Sequence, residues 1–339
     1  MKSLLIDIGS TNIKSMYCEE GGAGTVHKTP FPAPRVNDGV RFEVDPQEIV
    51  QIVRSVIDAY NCEKVFISTQ MHGYLLADKS GRLLTDYISW QDRRAESTGT
   101  IVKIRQESGT AMKGNLPRAG VESFRKTDPK LYGQIGEFYT LGSYVAYVLT
   151  GRNVTHITDA AASGFYDIKS RTQEKVSFAL PQAYYKVVPV GQYGKKTIYT
   201  ALGDQQCSVL GAGGDEWHTV LNLGTAAQLC TVECGFVKGE FESRPYFGGR
   251  TLCTVTGLPG GKVLAEYAGN AEEFLLKEYS AALKKLPRRT SMIVTGGVLV
   301  YRRELIVRVL KETGEKFVLH EGADALEGLK LIAEELAHE

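Results

Sequence analysis

Apolar and polar positions come in blocks along this chain, and the blocks predict both strands and helices. Leu4-Leu5-Ile6, Ile8, a polar turn at Gly9-Ser10-Thr11-Asn12 and then Ile13 read as a β-hairpin, with a third strand near residues 25–29. Residues 30–45 contain Pro30, Pro32, Pro34 and Gly39 and read as a loop. Asp45-Pro46 opens a helix whose apolar positions Ile49, Ile52, Val53, Val56 and Ile57 follow helical spacing. Val65-Phe66-Ile67-Ser68 reads as a buried strand that ends in the polar run Thr69-Gln70-Met71-His72-Gly73, and Leu75-Leu76-Ala77-Asp78 begins a hairpin closed by Lys79-Ser80-Gly81. A helix is expected after Arg94, then a Gly- and Pro-containing stretch around 109–120. Leu141, Tyr144, Val145, Val148 and Leu149 make a helix stopped at Gly151. Beyond Leu202-Gly203-Asp204 the pattern gives a helix over 207–211, strands near 251–256 and at Ile293-Val294, and helices over 262–279, over 305–310 and through Leu326, Leu329, Ile332, Ala333 and Leu336. The expected organisation is two mixed α/β domains of three strands with helices, residues 1–203 and 204–339.

The first hairpin carries a carboxylate where an apolar residue would fit the strand. Asp7 is costly to bury without a partner, and a metal ion or water held by one would satisfy it. Gly9 lets the turn bend, and Ser10 and Thr11 add hydroxyls beside backbone N–H groups, a chemistry that suits phosphate. An ordinary hairpin with a polar tip explains the same residues. The pattern returns at Leu221-Asn222-Leu223-Gly224-Thr225, which matches Ile6-Asp7-Ile8-Gly9-Ser10 as apolar, polar, apolar, glycine, hydroxyl. Two such turns suggest two similar domains, each offering one phosphate-binding hairpin.

Composition narrows the classes. A chain of 339 residues is comfortable for two domains, and 43% hydrophobic with 23% charged residues is ordinary for a globular protein. The formal charge of +1 predicts neither nucleic acid nor an anionic membrane as partner. The six cysteines form no CxxC pair and read as reduced thiols of a cytoplasmic protein; Cys230 and Cys234 alone make a weak metal site. Asp7 cuts short any signal-peptide run, and no apolar stretch approaches membrane-spanning length.

The common phosphate and nucleophile motifs are missing. Gly257-Leu258-Pro259-Gly260-Gly261-Lys262-Val263 is one residue short of a Walker loop and ends in valine instead of serine or threonine. Asp204 lies after a strand-like run and before a helix-like one, where a carboxylate could take a proton from a hydroxyl; capping the next helix explains it equally well. His72 reads as structural or as part of a pocket with Gln70, Trp90 and Asp92, in which amide and carboxylate bind hydroxyls and indole covers an apolar sugar face. Arg93 and Arg94 are expected in salt bridges, and Thr295-Gly296-Gly297 could let backbone approach a flat ligand.

Taken in order, Asp7 to Lys14, Gln70-Met71-His72-Gly73, Trp90-Gln91-Asp92-Arg93-Arg94, Gly203-Asp204-Gln205, Asn222-Leu223-Gly224-Thr225 and Thr295-Gly296-Gly297 resemble the FGGY carbohydrate kinases, collinearly over nearly the whole chain. Segments 201–209, 246–254 and 257–267 resemble the sedoheptulokinases most and the xylulokinases next. The resemblance implies a two-lobed, actin-like (ribonuclease-H-like) α/β fold with ATP and sugar in a cleft. It implies Asp204 as general base, Asp7 orienting Mg2+, and Gly9, Ser10, Thr11, Lys14, Gly224 and Thr225 on the phosphates. Gln70, Met71, His72, Trp90, Asp92 and Gln205 would line the sugar, with Gly296 and Gly297 flanking adenosine. The implied partner is a small-molecule sugar, with a homodimer as the assembly to test. The chain is shorter than typical members, mainly between about residues 279 and 289, so a reduced C-terminal lobe is expected. Val298 stands for a third family glycine and Tyr301 near a family asparagine, so adenine should be held less well than sugar. The implied activity is ATP-dependent phosphorylation of a ketose at a terminal hydroxyl, and the alternative is a catalytically weak sugar-binding relative.

Overall fold

Strands Ser3–Ile8 and Asn12–Glu19 pair antiparallel with Asp7 opposite Lys14, and Gly22–Pro30 adds a third antiparallel strand. On the other side Ser3–Ile8 pairs parallel with Lys64–Thr69, placing Asp7 opposite Ser68. Lys196–Tyr199 and the short Leu202–Gly203 both pair parallel with Lys64–Thr69, and Pro189–Tyr193 closes this seven-stranded sheet. A five-stranded sheet runs Pro34–Asn37, Phe42–Val44, Tyr87–Ile88, Tyr74–Ala77, Glu137–Thr140. The computed structural model describes residues 2–19, 22–97, 116–267, 270–322 and 324–338.

The chain divides into two compact units, residues 1–204 with 333–339, and residues 205–332. The second unit has a six-stranded sheet in the order Glu242–Pro245, Thr251–Leu258, Ala227–Glu233, His218–Leu223, Ser291–Thr295, Phe317–Leu319. Its central run of two antiparallel and two parallel pairings repeats that of the first sheet, with His218–Leu223 in the place of Ser3–Ile8. The echo between the two hairpins is therefore an echo of whole sheets.

Local chemistry explains the helices that frame the first sheet. In Pro46–Ala59 the Asp45 carboxylate caps the Gln47 N–H at 2.8 Å, proline occupies the first turn, and Ile49, Val50, Val53 and Ile57 are buried in the core beside Ile6, Ile8 and Ile67. Each such aliphatic side chain contributes about 1.5–3 kcal/mol by leaving water. In Leu141–Thr150 a Thr140–Ser143 capping box starts the helix and Gly151, at φ 76°, ends it.

Several expectations are corrected. Residues 30–45 are not all loop, because Pro34–Asn37 and Phe42–Val44 are strands. Pro34 is tolerated there since its strand lies at the sheet edge. Of the stretch expected around 109–120, residues 116–120 enter the helix Pro117–Thr127, with proline at its first position, and 109–115 lie outside the described residues. The helix after Arg94 is described only as Arg94–Ser97. The expected helix over 262–279 is two, Gly261–Glu266 and Ala271–Leu283, the second capped by Asn270 on the Glu273 N–H. Three strands per domain undercounts both units, since short and irregular edge strands carry little periodicity. No helix among the described residues is long and apolar enough to cross a membrane.

Candidate active site

In the first unit three parallel strand ends form a row. Ile8 is in register with Thr69, and Thr69 with Gly203. The next residues along these strands are Gly9, Gln70 and Asp204, so they leave the sheet side by side at its carboxyl edge. Two strand spacings separate Gly9 from Asp204, about 10 Å of backbone. Ligands of open α/β sheets bind outside the carboxyl ends of the strands.

Asp7, one turn of pleat below Gly9, is 4% exposed. Its carboxylate accepts a hydrogen bond from Ser68 Oγ at 2.8 Å and faces the Lys14 ammonium at 3.4 Å. Both partners are dictated by sheet register. The matching position in the second unit is Asn222, between Gln228 and Thr295, so only the first hairpin carries charge at this point. The turn Gly9-Ser10-Thr11 closes on Asn12, with the Gly9 N–H donating to its carbonyl at 3.1 Å. Ser10 is half-buried and Thr11 exposed at the tip.

Gln70 is 4% exposed, and its Oε1 is buried without a hydrogen-bond partner among the described residues. A buried, unpaired amide oxygen costs roughly 1–3 kcal/mol, and a ligand hydroxyl would satisfy it. Met71 is buried. His72 holds φ 65°, a left-handed backbone that disfavours any side chain with a Cβ, and its Nδ1 lies 3.0 Å from the Ala162 carbonyl. Gly73 is required next to it, because a Cβ there would lie 2.0 Å from the Tyr87 hydroxyl. Tyr87 is itself fully buried; burial, then the Asp159 and Asp204 carboxylates, push its pKa far up, which sets the three groups in one neighbourhood. Trp90 is half-buried in the segment that follows Tyr87–Ile88.

Two expected sugar-lining residues are engaged otherwise. Asp92 is 5% exposed, and its carboxylate accepts from the Phe42 N–H at 2.8 Å and from Arg94 through N–H at 3.0 Å, Nε at 2.8 Å and Nη2 at 2.7 Å. Four donors fill a carboxylate's acceptor capacity, so Asp92 braces the Trp90 segment against Phe42–Val44. Arg94 also reaches Glu43 at 2.6 Å, as the salt-bridge expectation required. In the second unit Gln205 is buried; its Oε1 accepts from Arg244 and its Nε2 donates to Thr254 Oγ1 at 2.9 Å and to Gln228. These three partners all lie in that unit. Cys230 is buried beside the same network and Cys234 is exposed, and no cluster of metal-ligating side chains occurs among the described residues.

The second hairpin is supported by glycines. Gly224 is half-buried and Thr225 exposed at its tip. The Gly261 and Lys262 N–H groups donate to the Gly224 and Thr225 carbonyls at 2.9 and 3.0 Å, and a Cβ on Gly260 would come within 2.7 Å of the hairpin backbone. Gly296, at φ 108°, leaves no room for a Cβ, which would lie 2.5 Å from the Leu223 carbonyl, while Gly297 faces open space. Val298 donates to the same carbonyl at 3.1 Å and is 2% exposed within the core. Its methyl groups therefore face inward, not toward a ligand. In the helix Leu299–Glu312 that follows, Val300 and Tyr301 are exposed, at 87% and 61%.

These features meet a clear match. The family description "FGGY family of carbohydrate kinases, N-terminal domain" fits residues 3–221, well over half of the chain. The chain belongs to the FGGY family of carbohydrate kinases. Xylulose kinase of Escherichia coli (strain K12) is 23% identical over 263 residues, covering 68% of this chain and 54% of the relative. The solved xylulose kinase of Lactobacillus acidophilus superposes with a TM-score of 0.84 at 17% identity, covering 99% of this chain and 90% of that one. The gluconate kinase of the same organism gives 0.86 at 18% identity, covering 100% and 90%. The fold of this FGGY chain is the actin-like ATPase fold. The chain spans about half the length of the curated relatives it matches.

In this FGGY chain, sequence reasoning passed over Ser68, Tyr87, His156, Thr158, Asp159 and the Gly260-Gly261 pair. Gly-Gly after an apolar strand was a usable signal that was read only as a failed Walker loop. Ser68 and Tyr87 carry no signal beyond strand-forming neighbours, and His156, Thr158 and Asp159 belong to a segment rich in small residues, which gives no periodicity. Asp159 is buried beside Thr140 and Thr155, whose hydroxyls donate to it, and burial raises its pKa to about 6. His156, also buried, is held down to about 4.

These two groups set a pH dependence of stability. Asp159 is raised above its unfolded value near 3.9, so its contribution is full below that value and is lost as pH rises through about 6. His156 is depressed below its unfolded value near 6.5, so its contribution is present above that value and is lost as pH falls through about 4. Each amounts to roughly 3 kcal/mol, of opposite sign in overlapping windows. Asp159→Asn removes one, and its stability is expected to fall by roughly 3 kcal/mol more steeply than wild type between pH 6.5 and 4. Denaturant unfolding at four pH values measures this; parallel wild-type and variant profiles would refute it.

Proposed function

We propose that this protein transfers the γ-phosphoryl group of ATP to a terminal primary hydroxyl of a ketose of the xylulose or sedoheptulose kind, with Asp204 as general base. The observation that supports the reading is that Gly9, Gln70 and Asp204 stand in a row at one sheet edge, as neighbouring phosphate, sugar and base positions would require. Asp204 takes the proton of the sugar hydroxyl as its oxygen bonds to the γ-phosphorus, and the bond from that phosphorus to the bridging oxygen of ADP breaks. Gln70, Met71, His72 and Trp90 line the sugar, while Asp92 and Gln205 hold their segments in place. Gly9, Ser10, Thr11, Lys14, Gly224 and Thr225 line the phosphates, and Gly296 and Gly297 flank the nucleoside.

Asp7 would orient Mg2+ through its waters, and the ion would supply charge stabilisation of the phosphates. One buried carboxylate, with no metal-ligating cluster among the described residues, suits Mg2+, which keeps most of its waters and shares phosphate oxygens. The rest of catalysis is positioning and charge stabilisation, as phosphoryl transfer requires. A reduced C-terminal lobe is part of the proposal, its reduction lying mainly between about residues 279 and 289, where the end of Ala271–Leu283 leads toward Ser291–Thr295.

Coupled ADP release across a panel of ketoses and polyols tests the reading. Sedoheptulose or D-xylulose is expected above glycerol. His72→Ala is expected to weaken sugar affinity about tenfold with ATP affinity little changed, about 1.4 kcal/mol on one ligand only. Equal losses for both ligands, or a clear glycerol preference, would argue against this pocket. Sugar binding without ADP release would mark a binding protein.

A further inference from the structure

Resting on that reading of Asp204, we infer that Thr158 and His156 are positioning residues that fix the peptide leading into it. Gly203, the residue before Asp204, donates its N–H to Thr158 Oγ1 at 3.1 Å. Thr158 Oγ1 in turn lies 2.9 Å from His156 Nδ1, and His156 Nε2 lies 3.1 Å from the Tyr185 carbonyl. Gly203, Thr158 and His156 are buried, the last two at 1% exposure each, while Tyr185 at the far end is exposed.

The chemistry fixes every direction in this chain of bonds. A carbonyl only accepts, so His156 carries its proton on Nε2 and donates it to Tyr185. Burial keeps the imidazole neutral, which leaves Nδ1 a bare acceptor. It therefore accepts from the Thr158 hydroxyl, whose hydrogen is committed and whose lone pair faces the Gly203 N–H. The Thr158 N–H at 3.3 Å adds a second donor to the same nitrogen. The His156 N–H donates to the Ala201 carbonyl at 3.1 Å, tying the two segments together again just upstream. Gly203 is thus held from one side by its parallel pairing with Thr69 and from the other by a hydroxyl that can point only one way. The strand end that presents Asp204 is only two residues long, and a pairing so short does not fix an orientation alone. Orientation of a base matters at the scale of about 1 Å, which can cost on the order of 10²-fold in rate.

The test is Thr158→Val, which keeps shape and removes the hydroxyl, against Thr158→Ser, which keeps the hydroxyl. With the preferred ketose and saturating MgATP, Thr158→Val is expected to lower kcat by about 10–10²-fold with KM for sugar within about threefold, and Thr158→Ser to restore kcat to within about threefold of wild type. Glycine-selective 15N labelling should show the Gly203 amide exchanging faster in Thr158→Val only. If Thr158→Val does not fold, His156→Asn, which retains an acceptor at the Nδ1 position, and His156→Phe, which does not, carry the same comparison. An unchanged kcat in a folded variant lacking the hydroxyl or the acceptor, or a serine variant as impaired as the valine, overturns the inference alone. A wild-type protein that turns over no sugar overturns the function and this inference with it.

Discussion

Asp204→Asn is expected to lower the rate of phosphoryl transfer by about 10²–10⁴-fold while leaving sugar affinity close to wild type. The amide keeps the shape and hydrogen-bonding reach of the carboxylate but cannot take up the hydroxyl proton. The surroundings argue that the change will be local. Asp204 opens the helix Asp204–Gly211 and is half-buried, and Gly203 before it is held by backbone pairing and by Thr158. Helix capping, the plain alternative role for this residue, is served almost as well by asparagine as by aspartate. A pure cap would therefore survive the substitution with its rate intact, whereas a base would not. Single-turnover kinetics with sugar titration separates the two. Turnover near the wild-type rate would remove Asp204 from the chemistry.

The second large effect is expected in nucleotide binding, which should depend heavily on magnesium and phosphates and little on the base. The proposal assigns the phosphates to Gly9-Ser10-Thr11, beside Asp7 and Lys14 in the first unit, and to Gly224-Thr225, which supporting glycines brace in the second. It assigns the base to Gly296 and Gly297, with Tyr301 exposed in the first turn of the helix Leu299–Glu312 that follows. Val298, which the sequence alone placed in the way of the base, is turned into the core by its bond to Leu223. An exposed phenol ring stacks on any purine for about 1–3 kcal/mol and distinguishes adenine from guanine poorly. ATP and GTP are therefore expected to bind within about fivefold of each other, a difference of roughly 1 kcal/mol. Tripolyphosphate should retain most of the magnesium-dependent affinity, and removal of magnesium should cost about 10²-fold or more, several kcal/mol of charge stabilisation. Calorimetry with the three ligands, with and without magnesium, reads all of these. Tight ATP binding with strong rejection of GTP would show a base pocket more selective than a stacking ring.

The elements that bury one clean face were legible in the sequence. Pro46–Ala59 and Leu141–Thr150 announced themselves by spacing and by caps, because side-chain burial and backbone satisfaction there agree with local propensity. The two hairpins were legible as an echo because both need a glycine turn flanked by apolar strands. The strand Pro34–Asn37 was not, since an edge strand is imposed by its neighbour in the sheet rather than by its own residues. The same limit applied to the site. Asp7 stood out because a carboxylate interrupts an apolar run, and Asp204 because it stands where a strand-like run meets a helix-like one. Asp92 and Gln205 are expected on the sugar, Gln205 through the family resemblance alone, and the protein partners they also have, Arg94 and Arg244, are not visible in a sequence. His156, Thr158 and Asp159 matter through contacts to segments tens of residues away, which no local pattern encodes.

Phosphorus NMR of the complete reaction tests the central claim most directly. The protein is incubated with MgATP and sedoheptulose or D-xylulose, and the products are read without a coupling enzyme. The account predicts ADP and a new phosphomonoester in equal amounts, the ester signal split by the two protons of a primary carbon. ADP accompanied only by inorganic phosphate, or an unchanged ATP spectrum with every ketose and polyol, would contradict it.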